Sequence, residues 1–215
     1  MKRVFGTVEI IFDIAYLLFG LIICILFLNK EVSLSGFAAI MTLVLIVGDA
    51  FHLIPRIMVI LTKDEPRFRK SLGIGKLVTS LTMTVFYILL FRILVQRLQI
   101  DVAPWVEYVI IGLALVRIAL CLFPQNEWTQ RFPPVNWAVY RNIPFFILGM
   151  VVAVEFFVYR NAIAGMQWIW LAILLSYAFY LPVVLFSNKN PKVGMLMLPK
   201  TCMYVWIMMM CLKFV

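Results

Sequence analysis

The sequence predicts an all-α, polytopic membrane protein: a bundle of seven transmembrane helices with a cytoplasmic N-terminus and a C-terminus outside. Of its 215 residues, 65% are hydrophobic and 13% are charged, and the mean hydropathy is +1.04. Soluble domains usually contain about 45–50% apolar and about 25% charged residues. A soluble core of this size cannot bury so much apolar surface, which excludes a soluble globular domain.

Seven apolar stretches are long enough to be membrane spans, since a helix needs roughly 20 mostly apolar residues to cross the hydrocarbon core. They lie at about 8–28, 36–61, 73–96, 104–123, 143–159, 167–187 and 195–213. Only loops remain between them, so we expect 1–215 to form a single integral-membrane domain. The first stretch contains Glu9 and Asp13 and precedes no small-residue cleavage site, which favours a retained span over a signal peptide.

Lysine and arginine residues in the loops predict the orientation, because cytoplasmic loops carry an excess of both. The N-terminus and the loops at 62–71, 124–142 and 188–194 together contain ten of them. The segments on the opposite side contain four, so the N-terminus is expected in the cytoplasm. This asymmetry accounts for the formal net charge of +9, and no nucleic-acid partner is needed to explain it.

Ionisable side chains within the spans are the candidate functional residues, because such groups are costly in a bilayer and usually have a role there. With the predicted orientation, most of them converge on the cytoplasmic half of the bundle, whereas Arg92 and Glu155 lie toward the outside. Polar residues of this half that we select as candidates are Asp13, Asp49, His52, Arg56, Lys76, Ser80, Arg117, Tyr180 and Lys200.

Helical spacing refines this prediction. Asp49, His52 and Arg56 are three and four residues apart and therefore share one face of the second span. Pro199 directly precedes Lys200, which predicts irregular backbone beside a charge. Together these features favour a water-accessible polar pocket that opens to the cytoplasm. The alternative is a set of structural bridges, in which Asp49 pairs with Arg56 or Arg117 and Asp13 pairs with Lys200.

Metal and cofactor chemistry has little support in the sequence. His52 is the only histidine, and the four cysteines all lie inside apolar stretches and form no Cys-x-x-Cys pair. A metal site requires several such ligands to converge, so we expect no metal and no cofactor. A Ser-His-Asp triad would need assembly from Ser80, His52 and an aspartate across helices, and no Gly-x-Ser-x-Gly motif supports it.

The second and third spans resemble a known family. The run Gly48-Asp49-Ala50-Phe51-His52-Leu53-Ile54-Pro55-Arg56, then Ser71-Leu72-Gly73-Ile74-Gly75 and the segment from Ser80 to Tyr87, is similar to the bacterial YhhN (lysoplasmalogenase-like) membrane family. The resemblance covers about 40 residues, from 48 to 87. It implies a compact helical bundle in the bacterial cytoplasmic (inner) membrane that hydrolyses the vinyl-ether bond of lysoplasmalogens.

In this resemblance Asp49 matches the aspartate of the family's Gly-Asp element and would act as acid and base. The sixth and seventh spans contain no acid, so a second carboxylate would have to come from Asp13 or Glu155, and Asp13 is on the predicted side. Protonation of a vinyl ether gives an oxocarbenium-like cation that water captures, which suits a carboxyl group. Lys76, Arg117 or Lys200 could hold a lipid phosphate, since cations bind phosphate well.

Three hypotheses follow from these observations. The first is a lipid-active enzyme in which Asp49 and Asp13 are catalytic and the other candidates bind or tune a lysolipid. The second is a carrier or receptor for a small anionic metabolite or lipid. The third is a structural subunit whose buried charges join helices. Membrane lipids and a small lipid or anionic ligand are the expected partners, and a protein partner cannot be identified from the sequence.

Overall fold

The computed structural model describes residues 2–30, 33–100 and 102–215, which form seven α-helices and no strand. The helices are α1 (Lys2–Leu28), α2 (Ser33–Thr62), α3 (Glu65–Leu98), α4 (Pro104–Leu122), α5 (Val135–Val158), α6 (Ile169–Phe186) and α7 (Met197–Phe214). All seven are long and apolar enough to cross a membrane. The predicted all-α class and the seven spans are confirmed, and the chain is a multi-pass integral membrane protein.

Several helices extend beyond the apolar stretches that predicted them. α5 begins at Val135 rather than at 143, and α3 begins at Glu65 rather than at 73. Hydropathy detects only the part of a helix that lies in hydrocarbon, whereas the hydrogen-bonded backbone continues into the polar interface. At the start of α3 the side chain of Asp64 accepts a 3.2 Å hydrogen bond from the backbone N–H of Arg67, which is N-cap geometry.

The helices follow one another around the bundle. Consecutive helices pack side by side, α1 closes the ring against α7, and α3 also contacts α5 across the interior. Aromatic rings fill the centre, where Tyr87 of α3 lies 5.4 Å from Phe145 of α5 and 5.9 Å from Tyr177 of α6 between ring centroids. These rings sit directly beside the polar residues described below.

Contacts between the ends of helices show the antiparallel arrangement. At the end where α1 begins, which we call the amino end of the bundle, Arg56 of α2 pairs with Glu9 of α1 at 2.7 Å. At the opposite end, Lys30 Nζ donates to the carbonyl of Leu212 and Arg97 Nε donates to that of Phe214, both at 2.5 Å. The last carbonyl groups of α7 therefore accept hydrogen bonds from two cationic side chains, which is favourable at a helix C-terminus.

α2 and α3 are the most closely packed pair of helices in the described bundle, because two glycines allow their backbones to approach each other. A Cβ atom at Gly75 would collide with the backbone of Phe51 and His52, and one at Gly48 would collide with Thr82. Thr79 Oγ1 donates a 2.8 Å hydrogen bond to the carbonyl of Gly48 in the same contact. Small residues allow this kind of helix packing in membranes.

Candidate functional site

A polar network lies at the amino end of the bundle, where α1, α2 and α7 meet. Tyr16 of α1 donates a 2.8 Å hydrogen bond to Asp49 Oδ2 of α2. Tyr16 and Asp13 are buried, and Asp49 is partly exposed. Asp13 precedes Tyr16 by three residues, so both side chains emerge from the same face of α1. Asp13 Oδ2 is buried without a hydrogen-bond partner.

Lys200 of α7 is the cation of this network. Its side chain is buried, and Nζ lies 5.0 Å from the ring centroid of Tyr180 and 5.1 Å from that of Tyr204. The charges of Lys200 and Asp49 act on each other. Among the described residues no carboxylate lies within 4.0 Å of Nζ, so Lys200 and Asp49 do not form a direct ion pair.

Tyr180 connects Lys200 to a second buried cation. The Tyr180 hydroxyl donates a 3.1 Å hydrogen bond to Asn142 Oδ1 of α5, and its ring lies 6.4 Å from that of Phe145. Arg117 of α4 stacks on the ring of Phe145, with its Cζ atom 3.2 Å from the ring centroid. A guanidinium over an aromatic face gains cation–π attraction. Arg117 is fully enclosed, at 2% exposure.

The other predicted ligand-binding residues form a separate, more peripheral group. Arg56 is exposed and paired with Glu9, and Lys76 is exposed on α3. The Ser80 hydroxyl donates to the backbone carbonyl of Lys76 at 2.8 Å and is satisfied within its own helix. His52 lies near the charges of Arg56 and Lys76, and its Nδ1 is buried without a hydrogen-bond partner.

The alternative prediction of structural bridges is wrong for the pairs named. Arg56 pairs with Glu9 instead of Asp49, and in the described part of the chain neither Asp49 nor Asp13 belongs to an ion pair within 4.0 Å. Glu9 lies nearer the end of the bundle, opposite Arg56, whereas Asp49 is two helical turns deeper on α2. Pro199 also differs from expectation, because it lies in the first turn of α7, where the backbone tolerates proline.

Two apolar grooves are present on the surface of the bundle, and neither is the predicted polar pocket. One, of about 380 Å³, lies between α4 and α5 and is lined by Trp105, Phe146, Met150 and Glu155, among others. The second, of about 180 Å³, lies between α5 and α6 and includes Asn142 and Leu181. Neither is lined by Asp49 or Lys200, and the network borders the second groove only through Asn142.

Sequence reasoning did not select Tyr16 or Tyr204, although both belong to this network. Tyr16 could have been found from its spacing, because it follows Asp13 at the interval that places two side chains on one helical face. The position of Tyr204, four residues after Lys200, carries the same signal. Aromatic residues are common in membrane helices, however, and only the structure distinguishes these from lipid-facing ones.

The loop between α4 and α5 is an ordered part of the amino end. The buried Asn126 Nδ2 donates to the carbonyls of Leu120, Cys121 and Phe123 at 2.7, 3.3 and 2.8 Å. Its Oδ1 accepts a 2.8 Å hydrogen bond from Arg141, which lies 4.2 Å above the ring of Trp128. The Asn126 side chain thus supplies hydrogen bonds to the carbonyl groups at the end of α4 and links α4 to α5 through Arg141.

Comparison of the chain with known protein families, curated proteins and solved structures finds no match. The similarity of residues 48–87 to YhhN proteins therefore stays a prediction. The function of the protein has to be argued from the network itself.

Proposed function

We propose that this membrane protein is a lysolipid hydrolase of the YhhN type that cleaves a vinyl-ether bond, with Asp49 as the catalytic acid and base. The observation that carries the proposal is the contact between Tyr16 and Asp49, which fixes a partly exposed carboxyl group within the membrane-spanning part of the bundle. The resemblance around Gly48-Asp49 supports the choice of this carboxyl group.

The reaction would begin with transfer of a proton from the Asp49 carboxyl group to the vinyl carbon that is not bonded to oxygen. The resulting oxocarbenium ion accepts water at the carbon bonded to oxygen, and the water releases its proton to a carboxylate. The hemiacetal then breaks into a fatty aldehyde and the free alcohol of the glycerophospho headgroup. Asp13, on the same face of α1 as Tyr16, is our candidate for the group that guides the water.

Neighbouring groups are suited to this cycle. The Tyr16 hydroxyl holds one oxygen of Asp49 and leaves the other to face the substrate. After Asp49 gives up its proton, the negative charge lies near Lys200, whose field stabilises it. Lys200 can act this way because no other carboxylate in the described residues lies within 4.0 Å of its ammonium group.

The test is release of aldehyde from lysoplasmalogen by the purified protein in detergent. We expect the parent to release aldehyde and Asp49→Asn to lose at least 100-fold in rate, in the range expected for removal of a general acid. Glu155→Gln is the matched control, because Glu155 is a carboxyl group of α5 that lies away from the network. A folded, monodisperse parent that releases no aldehyde would rule out the hydrolase.

A second candidate is a carrier or receptor for a small anionic metabolite or lipid. It is favoured by the burial of two cations, Lys200 and Arg117, without an ion pair among the described residues. A carrier would give gradient-dependent flux in liposomes and no aldehyde. A hydrolase would release aldehyde without any gradient.

We further propose that the amino end of the bundle faces the cytoplasm of a bacterial cell and that the protein resides in its cytoplasmic membrane. The excess of lysine and arginine in the loops at this end supports the orientation. Fusions after Val215 test it: alkaline phosphatase should be active there and a green fluorescent reporter should be dark. The reverse pattern would invert the proposed orientation.

A further inference from the structure

Arg117 is a buried cation whose charge the described residues leave uncompensated. Its Nε and Nη1 atoms are buried without a hydrogen-bond partner, and no carboxylate in the described part of the chain lies within 4.0 Å of the guanidinium group. The ring of Phe145 covers one face of the guanidinium plane and supplies no hydrogen bond. Burial of a charge in this way is costly unless an oppositely charged group completes it.

Lys200 approaches the same region from α7. Tyr180 lies between the two cations, with its ring against Lys200 Nζ on one side and against Phe145 on the other. Asp49 of α2 lies on the Lys200 side of the network, and no carboxylate of the described residues lies within 4.0 Å of Arg117. The surplus positive charge is therefore on the Arg117 side of the network.

We propose that Arg117 binds one phosphate group at a buried site between α4, α5 and α6, with the charge of Lys200 acting from beyond the Tyr180 ring. A guanidinium offers several N–H donors in a fixed plane, which matches the oxygens of a phosphate. The inference rests on the proposed function, because that function supplies a substrate whose headgroup contains one phosphate. Both unpartnered nitrogens are enclosed, so side chains around Arg117 must rearrange before the anion enters.

The phosphate could belong to a lysophospholipid or be free in solution, and three probes separate these sources. They are an ester-linked lysophosphatidic acid, the monoacylglycerol with the same acyl chain, and inorganic phosphate at constant ionic strength. Ligand-induced stabilisation of the full chain in detergent is measured by thermal unfolding as each probe is titrated. None of the three probes contains a vinyl ether, so the measurement does not depend on hydrolysis.

We expect lysophosphatidic acid to stabilise the parent and Arg117→Met to bind it at least about tenfold more weakly, as for loss of a charged hydrogen-bonding group. Replacing an uncompensated buried cation with methionine should leave the unliganded protein as stable as the parent or more stable. Arg117→Lys, which keeps the charge and loses the planar donors, should bind with intermediate affinity. Arg92→Met is the control, since Arg92 pairs with Glu107 at the opposite end.

Stabilisation by inorganic phosphate that Arg117→Met abolishes would support the site and identify free phosphate as its ligand. The inference is overturned by equal stabilisation with monoacylglycerol, by a shift that persists in Arg117→Met, or by no shift with any probe. Failure of the proposed function gives a different pattern. Phosphate-dependent binding without aldehyde release would refute only the hydrolase, and aldehyde release without phosphate-dependent binding would refute only this site.

Discussion

Tyr16 and Asp49 join α1 to α2 through a 2.8 Å hydrogen bond between the phenol and one carboxylate oxygen. Tyr16 is buried at 3% exposure, so its hydroxyl has little water to bind if this contact is lost. The bond fixes the orientation of the carboxyl group that we propose to be catalytic. It also links α1 to α2, the helix that contains the Gly48–Arg56 motif.

Tyr16→Phe should therefore slow aldehyde release by roughly 10- to 100-fold, since a hydrogen bond to a charged group contributes about 1.5–3 kcal/mol. The rate with lysoplasmalogen is measured together with thermal unfolding, which reports whether the bundle stays folded. Tyr108→Phe is the control, because Tyr108 lies exposed on α4. An unchanged rate in folded Tyr16→Phe would limit Tyr16 to joining the helices.

Gly75→Ala should destabilise the bundle by roughly 1–3 kcal/mol, because the added methyl group would meet the backbone of α2, which cannot move aside as a side chain can. Gly36→Ala is the matched substitution, since a Cβ atom at Gly36 in α2 has nothing within 4 Å. There the higher helix propensity of alanine should stabilise by up to about 1 kcal/mol. Equal thermal unfolding of the two variants would show that close α2–α3 packing contributes little to stability.

Asn126→Ala should destabilise the protein by about 1–3 kcal/mol, because it leaves carbonyl groups at the end of α4 and the guanidinium of Arg141 without their partner. Thermal unfolding in detergent measures the loss. Asn136→Ala, at an exposed position near the start of α5, is expected to have no measurable effect. If both variants unfold alike, the loop does not stabilise the amino end.

The Glu9–Arg56 pair should contribute little to stability, because the Arg56 side chain is 44% exposed. A double-mutant cycle with Glu9→Gln and Arg56→Gln is expected to give a coupling free energy of about 0.2–1 kcal/mol that falls as salt is added. A coupling well above this range, or one that salt does not weaken, would mean that the pair lies in a drier setting than its exposure indicates.

The sequence predicts the bundle well and the network only in outline. Seven apolar stretches joined only by loops leave an up-and-down helical bundle as the natural fold, and the structure has it. Alternation of direction then places Asp13, Asp49, Tyr180 and Lys200 at one depth, which requires no knowledge of packing. The starts of α3 and α5 were less predictable, because their first turns are polar and hydropathy does not detect them.

Partners of individual side chains could not be predicted, because they depend on how each helix is rotated about its axis. The pairing of Arg56 with Glu9 rather than Asp49 depends on such a rotation and on the register of α1 against α2. The roles of the glycines are similar. Gly48 and Gly75 are part of the motif that resembles YhhN, and the structure gives both a packing reason that the sequence alone does not reveal.

The two cations at the end of α7 have a mechanical consequence for Lys200. Lys30 and Arg97 fasten the carbonyls of Leu212 and Phe214, whereas the other end of α7 follows a 3-10 segment, Pro191–Leu196, and has no side-chain cap. Lys200 lies about 21 Å along the helix from Phe214, at 1.5 Å per residue. A tilt of α7 by about 5° about its fastened end would move Lys200 by about 2 Å. Contacts at the opposite end of the bundle thus help to fix the position of Lys200, about 21 Å away along α7.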